Sequence, residues 1–304
     1  MIFKYSILIV FSAFLFSDSG GYAGASYKYG SNARSIALSN SLVSSYNTGY
    51  NPLTNPAFLG QDFSNTEYGF SYFPMSFDRS IKTLSVTIPL PLSASIGFSL
   101  FTTSVDDIKG TNSSGTYTGL YNAWEGYGML SFGLELSKFS AGINMKILKS
   151  EIDTYSSEDG IGIDIGFLYK LSPKSQIGLL IDNLSTQYTW DIGSLYEEKF
   201  PTIFSIGYSL IINEKILSLY QLDYSNELLV FKFGAELDMM KMKNIPMDIR
   251  VGLNNKNDSF SPSFGFGYNF IINNNLNFGI DYALDLGVAD EGLSHLFSLT
   301  FNKQ

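Results

Sequence analysis

The sequence predicts an all-β protein: a transmembrane antiparallel β-barrel of about fourteen strands, preceded by a short N-terminal helical plug or lead-in. Three observations carry this expectation. Beyond residue 65, apolar residues alternate with small or polar ones over most of the chain, which is the side-chain period of a strand. Most of these runs reach the ~9–11 residues that a tilted strand needs to cross a bilayer. The long connections fall on alternate turns, the asymmetry of an outer-membrane barrel.

Taken from the N-terminus, residues 1–23 read as a signal peptide. Lys4 precedes a short apolar run from Tyr5 to Phe16, and small residues follow at Ser17, Ser19, Gly20, Gly21 and Ala23. The run is too short for a spanning helix, and no later segment supplies one. Residues 24–65 form the plug or lead-in. Within 31–46, Ala33, Ile36, Ala37 and Asn40 are spaced like one face of a helix, and the Asn51-Pro52 and Asn55-Pro56 dipeptides then force turns.

Residues 66–304 hold the barrel, with strands expected near 66–76, 79–90, 92–103, 124–137, 139–150, 160–171, 175–183, 201–211, 215–224, 228–238, 245–253, 260–270, 274–282 and 294–302. Ile96, Phe98 and Leu100 alternate with Ser95, Gly97 and Ser99, and Ile143, Met145 and Ile147 with Gly142, Asn144 and Lys146. The odd connections include 104–123, 151–159, 184–200 and 283–293, whereas the even ones are short. A soluble barrel would turn its apolar face inward. Here the second face is Ser, Gly, Asn and isolated charges (Lys146, Asp164, Lys232, Glu236, Asp248, Arg250), which suits a crowded, partly hydrated lumen inside a lipid-facing apolar shell. Aromatics near strand ends, among them Tyr72, Phe73, Trp124, Tyr127, Tyr169 and Tyr224, are expected to form interfacial girdles.

Composition agrees. Only 15% of the 304 residues are charged although 45% are hydrophobic, against roughly 25% charged in soluble domains. There is no Cys, so disulfides, thiolate metal sites and thiol nucleophiles are excluded, and His295 is the single imidazole. A net charge of −9 without a basic stretch argues against a nucleic-acid partner. No cofactor, metal or catalytic constellation emerges. The glycine-rich run Gly160–Gly166 is itself a period-two strand and opens no helix. The acidic pairs Asp106-Asp107, Glu158-Asp159, Glu197-Glu198 and Asp290-Glu291 lie in expected outer loops. His295 lacks a distinctive Ser or Asp constellation and reads as a structural hydrogen-bonding group.

Both ends of the chain resemble one family. Gly30-Ser31-Asn32-Ala33-Arg34, followed by Asn55-Pro56-Ala57, is similar to the "G-A-R … W-N-P-A" opening of the PorV/PorQ outer-membrane barrels. Asp281-Tyr282-Ala283, Gly292, His295 and Phe297-Ser298-Leu299 resemble that family's "D-Y-A … G … T-H-R-x-S-L" closing hairpin, and Phe231 to Gly252 its late hairpin. Thr54 replaces the Trp before Asn-Pro-Ala and Leu296 the Arg after the His, which marks a divergent member. The family is related to fourteen-stranded FadL-type barrels.

The resemblance implies a non-enzymatic outer-membrane adaptor in protein export of type IX kind, with exported proteins or secretion components as partners beside outer-membrane lipids. The alternative is a FadL-like channel for small hydrophobic ligands. In either reading Ala33, Arg34, Asn55, Pro56 and Ala57 are the plug motif, with a structural or gating role, and Asp281, Tyr282, Gly292 and His295 the closing-hairpin motif.

Overall fold

A computed structural model of the protein describes residues 22–61, 65–191, 193–226, 228–255, 260–273, 276–286 and 293–303. The apolar run of the expected signal peptide, Gly292 and the Asp290-Glu291 pair lie outside the described residues. Among those described, no helix is long and apolar enough to cross a membrane.

Fourteen antiparallel strands close a barrel. They are β1 Thr66–Met75, β2 Arg79–Leu90, β3 Ala94–Thr111, β4 Tyr117–Leu136, β5 Phe139–Ile152, β6 Gly160–Ser172, β7 Ser175–Leu184, β8 Ile203–Ile212, β9 Ile216–Ser225, β10 Leu228–Asp238, β11 Met247–Asn254, β12 Ser261–Asn273, β13 Leu276–Asp285 and β14 Ser294–Lys303. Each pairs with its neighbour in sequence, and β1 closes on β14 from Thr66↔Lys303 to Tyr72↔Phe297. Closure pairs the first and last strands of the barrel, the two that would otherwise be its edges.

The alternation fixes which face looks out. In β3, Phe98 is 47% exposed whereas Ser99 is fully buried, and the same parity runs through Ile96, Leu100 and Ser95. Apolar side chains therefore clothe the outside, and Ser, Gly, Asn and the isolated charges line the inside. Trp124, Tyr169 and Tyr224 face outward as expected. Phe73 and Tyr127 do not belong to the girdle: their parity turns them inward, where Phe73 is fully buried and both pack in a core around the lumenal segment.

The short turns cluster at one end. Asn213 and Glu214 both adopt left-handed φ (49° and 61°), the twist that a two-residue hairpin turn requires. At the other end the expected loops prove partly regular. Residues 104–123 are a β-ribbon, because β3 runs to Thr111 and β4 begins at Tyr117. Short strands Tyr155–Glu158, Gln187–Asp191 and Leu195–Lys199 pair into a small second sheet above the barrel.

The plug helix is shorter than its spacing suggests. Only α1, Ala33–Ala37, is helical between residues 31 and 46; Ser39 and Asn40 take positive φ (52° and 54°) and end it. Both residue types favour local side-chain hydrogen bonds over helix continuation. The Asn-Pro dipeptides begin helical turns rather than merely preventing them: α2 is Asn51–Thr54, and a 3-10 turn covers Pro56–Gly60. Proline is well placed in a first turn, where its missing N–H has no partner to lose.

Candidate functional site: the filled lumen

Residues 22–61 thread the lumen from the long-loop end to the short-turn end. At the long-loop end Tyr27 lies edge-on to Phe101 and Tyr127, with ring centroids 5.3 and 5.0 Å away, and stacks on Phe200 at 5.8 Å. Its hydroxyl is 2.6 Å from that of Tyr188, which also donates to Glu125 Oε2 at 3.2 Å. Burial, with Tyr188 and Glu125 close by, pushes the Tyr27 phenol well above its ordinary range. Both hydroxyls act as neutral hydrogen-bonding groups.

Below this, α1 is capped by Asn32, whose side chain accepts from Ser35 N at 2.7 Å. Ala33 N donates to Ser298 Oγ at 2.7 Å. Ala33, Ile36 and Ala37 pack on Phe73, Ile81, Phe101, Ala283 and Leu296. From the same helix Arg34 reaches the opposite way, forming a two-point ion pair with Glu236 at 2.8 and 3.0 Å and donating to Tyr46 O at 2.7 Å. Arg250 also donates to Glu236 Oε2, at 2.6 Å, and to Asp281. Two residues singled out in the sequence, Arg34 and Asp281, are thus joined through Glu236 and Arg250.

The Asn-Pro-Ala motif sits near the short-turn end. Asn55 Nδ2 donates to Val43 O at 2.9 Å and Leu179 O at 3.2 Å, and its Oδ1 accepts from Ala57 N at 3.0 Å. One side chain ties the segment to itself, to the wall and to the following turn. Pro56 rests on a flat strip of glycine. Gly133, Gly142 and Gly166 are directly paired across β4, β5 and β6, and a Cβ at Gly142 would overlap the Pro56 carbonyl. Glycine at these positions lets two backbones touch. The carboxylate of Glu67, at the start of β1, receives Tyr46 OH and Gly49 N, both at 2.9 Å.

The closing-hairpin residues divide between two faces. Asp281 points inward to Arg250, whereas Tyr282 and His295 face outward, with Tyr282 OH 2.8 Å from His295 Nδ1. Lys146 and Asp164 stand in the sequence as isolated lumenal charges, whereas Glu67 and Asp182 carry no signal there as members of the site. Glu67 binds the segment, and Lys146, Asp164 and Asp182 form a buried ion cluster in which Lys146 Nζ lies 2.7 Å from each carboxylate. Each is a charge at a lumenal position of its strand, and those of Lys146, Asp164 and Asp182 fall on three adjacent strands.

Between the segment and the wall remains a cavity of about 290 Å³. Leu42, Val43, Leu180 and Ile203 supply an apolar flank, and Gln221, Asp223 and Lys232 a polar one. Lys232 and Asp223 are paired at 2.6 Å. Gln221 accepts from Val43 N and donates to Asp223. The volume sits near the lower end of the range for small-molecule sites, which are mostly apolar with a few placed polar groups.

Neither protein-family profiles nor curated proteins match the chain. Solved structures do. It is similar to the Pseudomonas putida toluene transporter TodX (TM-score 0.63, 13% identity, 90% of this chain and 98% of that one). It is also similar to the monoaromatic hydrocarbon channel CymD (TM-score 0.62, 14% identity, 91% and 98%). A Pseudomonas aeruginosa FadL homologue aligns at a TM-score of 0.61 with 9% identity, over 90% and 98%. At these identities the likeness establishes the fold: a FadL-like fourteen-strand barrel.

Proposed function

We propose that the protein is a non-enzymatic outer-membrane channel for small hydrophobic solutes, exported by means of its N-terminal segment. The observation that carries this reading is the cavity between lumenal segment and wall, with its apolar flank of Leu42, Val43, Leu180 and Ile203. The outward apolar band and the fold likeness to channels and transporters support it. In this reading residues 24–65 are a plug, and Arg34, Asn55 and Pro56 hold it against the wall.

The comparisons favour this over the secretion-adaptor role that the terminal motifs suggest. The buried motif residues Ala33, Asn55, Pro56 and Ala57 are spent on docking the segment, and offer no surface to an exported protein. Bacteria expressing the chain should accumulate a labelled apolar solute faster than bacteria expressing a Leu180→Trp variant, which fills the cavity. Equal rates, together with exported proteins recovered on the purified barrel, would restore the adaptor reading.

A further inference from the structure

Lysine is concentrated on one side of the short-turn rim. Lys138, Lys174, Lys215, Lys241 and Lys243 occupy successive short connections, those joining β4 to β5, β6 to β7, β8 to β9 and β10 to β11. Backbone bonds tie each connection to the next hairpin. Lys170 N donates to Lys138 O at 2.9 Å, Ile211 N to Lys174 O at 2.8 Å and Asp238 N to Lys215 O at 2.9 Å. The lysines therefore form one arc beneath β4 to β11. The remaining short connections, residues 91–93 and 274–275, carry no charge in the sequence.

The charge of the arc is not cancelled. Lys174 pairs with Glu214 at 2.9 Å and Lys241 with Asp238 at 2.8 Å. Lys138, Lys215 and Lys243 are exposed and have no carboxylate partner among the described residues. Five lysines against two carboxylates leave three positive units, on a chain whose net charge is −9. Asp248, the next acid along β11, turns to Arg250. The pairs Asp106-Asp107, Glu158-Asp159 and Glu197-Glu198 sit at the opposite end of the barrel.

Apolar side chains accompany these lysines. Leu136 is 65% exposed beside Lys138, and Ile212 is exposed beside Lys215. Both continue the outward parity of their strands, so they belong to the margin of the apolar band. Residues 239–243 form a short helix in which the exposed Met240 and Met242 alternate with Lys241 and Lys243. A soluble anion gains nothing from such a margin. A phospholipid uses both parts: acyl chains cover Leu136, Ile212 and the methionines, and lysine stems lift their ammonium groups to the phosphates.

We propose that this arc binds anionic phospholipid of the phosphatidylglycerol class, in the leaflet at the short-turn end. The proposal goes beyond the channel reading and needs only the lipid-facing band.

Native mass spectrometry of the full chain in a neutral detergent tests it, with phosphatidylglycerol and phosphatidylcholine of the same acyl chains offered at equal concentration. Phosphatidylglycerol should be retained at least about fivefold over phosphatidylcholine, the worth of one lysine near anionic headgroups. Added salt should shrink the preference. The triple variant Lys138→Gln, Lys215→Gln, Lys243→Gln should bring it below about twofold, since the two exposed ion pairs left behind attract little, while keeping the heat-dependent gel shift of a folded barrel. Lys109→Gln, Lys149→Gln, Lys199→Gln removes the same charge from the long-loop end and should leave the preference intact. Equal retention of the two lipids, or a preference that survives the first triple variant, would overturn the proposal. So would an equal loss in the second triple variant, which would make net charge the cause. Displacement of the lipid by glycerophosphate or an acidic peptide at matched concentration would mark a soluble-anion surface and overturn it too.

Discussion

Arg34 and Glu236, 202 residues apart, meet through two parallel hydrogen bonds of 2.8 and 3.0 Å in the interior of the barrel. The pair joins the lumenal helix to β10, and Arg250 extends it to β13. A fork-to-fork pair fixes orientation as well as distance. Removing one partner of such a pair leaves a charge facing a poorly solvated lumen.

Arg34→Ala should therefore weaken docking of the lumenal segment by about 2–4 kcal/mol, below the full cost of breaking a wholly buried pair because both side chains keep some exposure. Hydrogen exchange at residues 33–47 should accelerate while the barrel amides stay protected. Arg34→Lys should recover only part of the protection, since an ammonium cannot make the two-point contact. Unchanged exchange in the alanine variant would show that the pair does not hold the segment.

Gly142→Val is predicted to separate the barrel from its filling. Valine suits a strand, but its side chain would occupy the place of Pro56. The variant should still show the heat-dependent gel shift of a folded barrel, with higher ion conductance in planar bilayers. Conductance equal to that of the parent would contradict the contact as the seal.

Asn55→Ala removes three hydrogen bonds at once. It should cost about 1–3 kcal/mol of segment stability, because the Val43 and Leu179 carbonyls lose a donor away from water. Protease cleavage between residues 43 and 60 should appear in the variant at protease levels that leave the parent intact. Equal resistance would count against the bridging role.

The outward face gives a depth-dependent expectation. Phe98→Arg places a cation within the apolar band and should cost about 2–4 kcal/mol of folding stability in lipid, whereas Phe77→Arg, at a turn, should cost about 0–1 kcal/mol. Phe77 is in fact the more exposed of the two, so exposure alone would predict no such order. Urea titrations of folding into phosphatidylcholine vesicles measure both, and equal costs would argue against a lipid-facing band.

The strands were legible because their information is local. Phe98 and Ser99 declare opposite faces by adjacency, and the short turns at Asn213-Glu214 and Ser137-Lys138 set where each hairpin reverses. What the sequence hid is relational. Gly133, Gly142 and Gly166 look like ordinary small lumenal residues until register lines them up beneath Pro56. Arg34 and Asp281 stand out in the terminal motifs, yet Glu236 and Arg250, which connect them, come from strands between. Tyr127 and Phe73 suit an interfacial girdle by type, and only their parity, read against the lumenal segment, turns them into its packing partners. Apolar spacing over 31–46 suggests more helix than forms, because it takes no account of the left-handed Ser39 and Asn40 that end it.

If the protein is a channel, the cavity between the lumenal segment and the wall receives an apolar ligand. Photolabelling the purified chain with an alkyl diazirine, followed by mass spectrometry of the labelled residues, tests it most directly. The expected result is label on Leu42, Val43, Leu180 or Ile203 that an excess of unlabelled apolar ligand removes. Label confined to outward residues such as Phe98, Met145 and Ile147, and insensitive to that competitor, would contradict it.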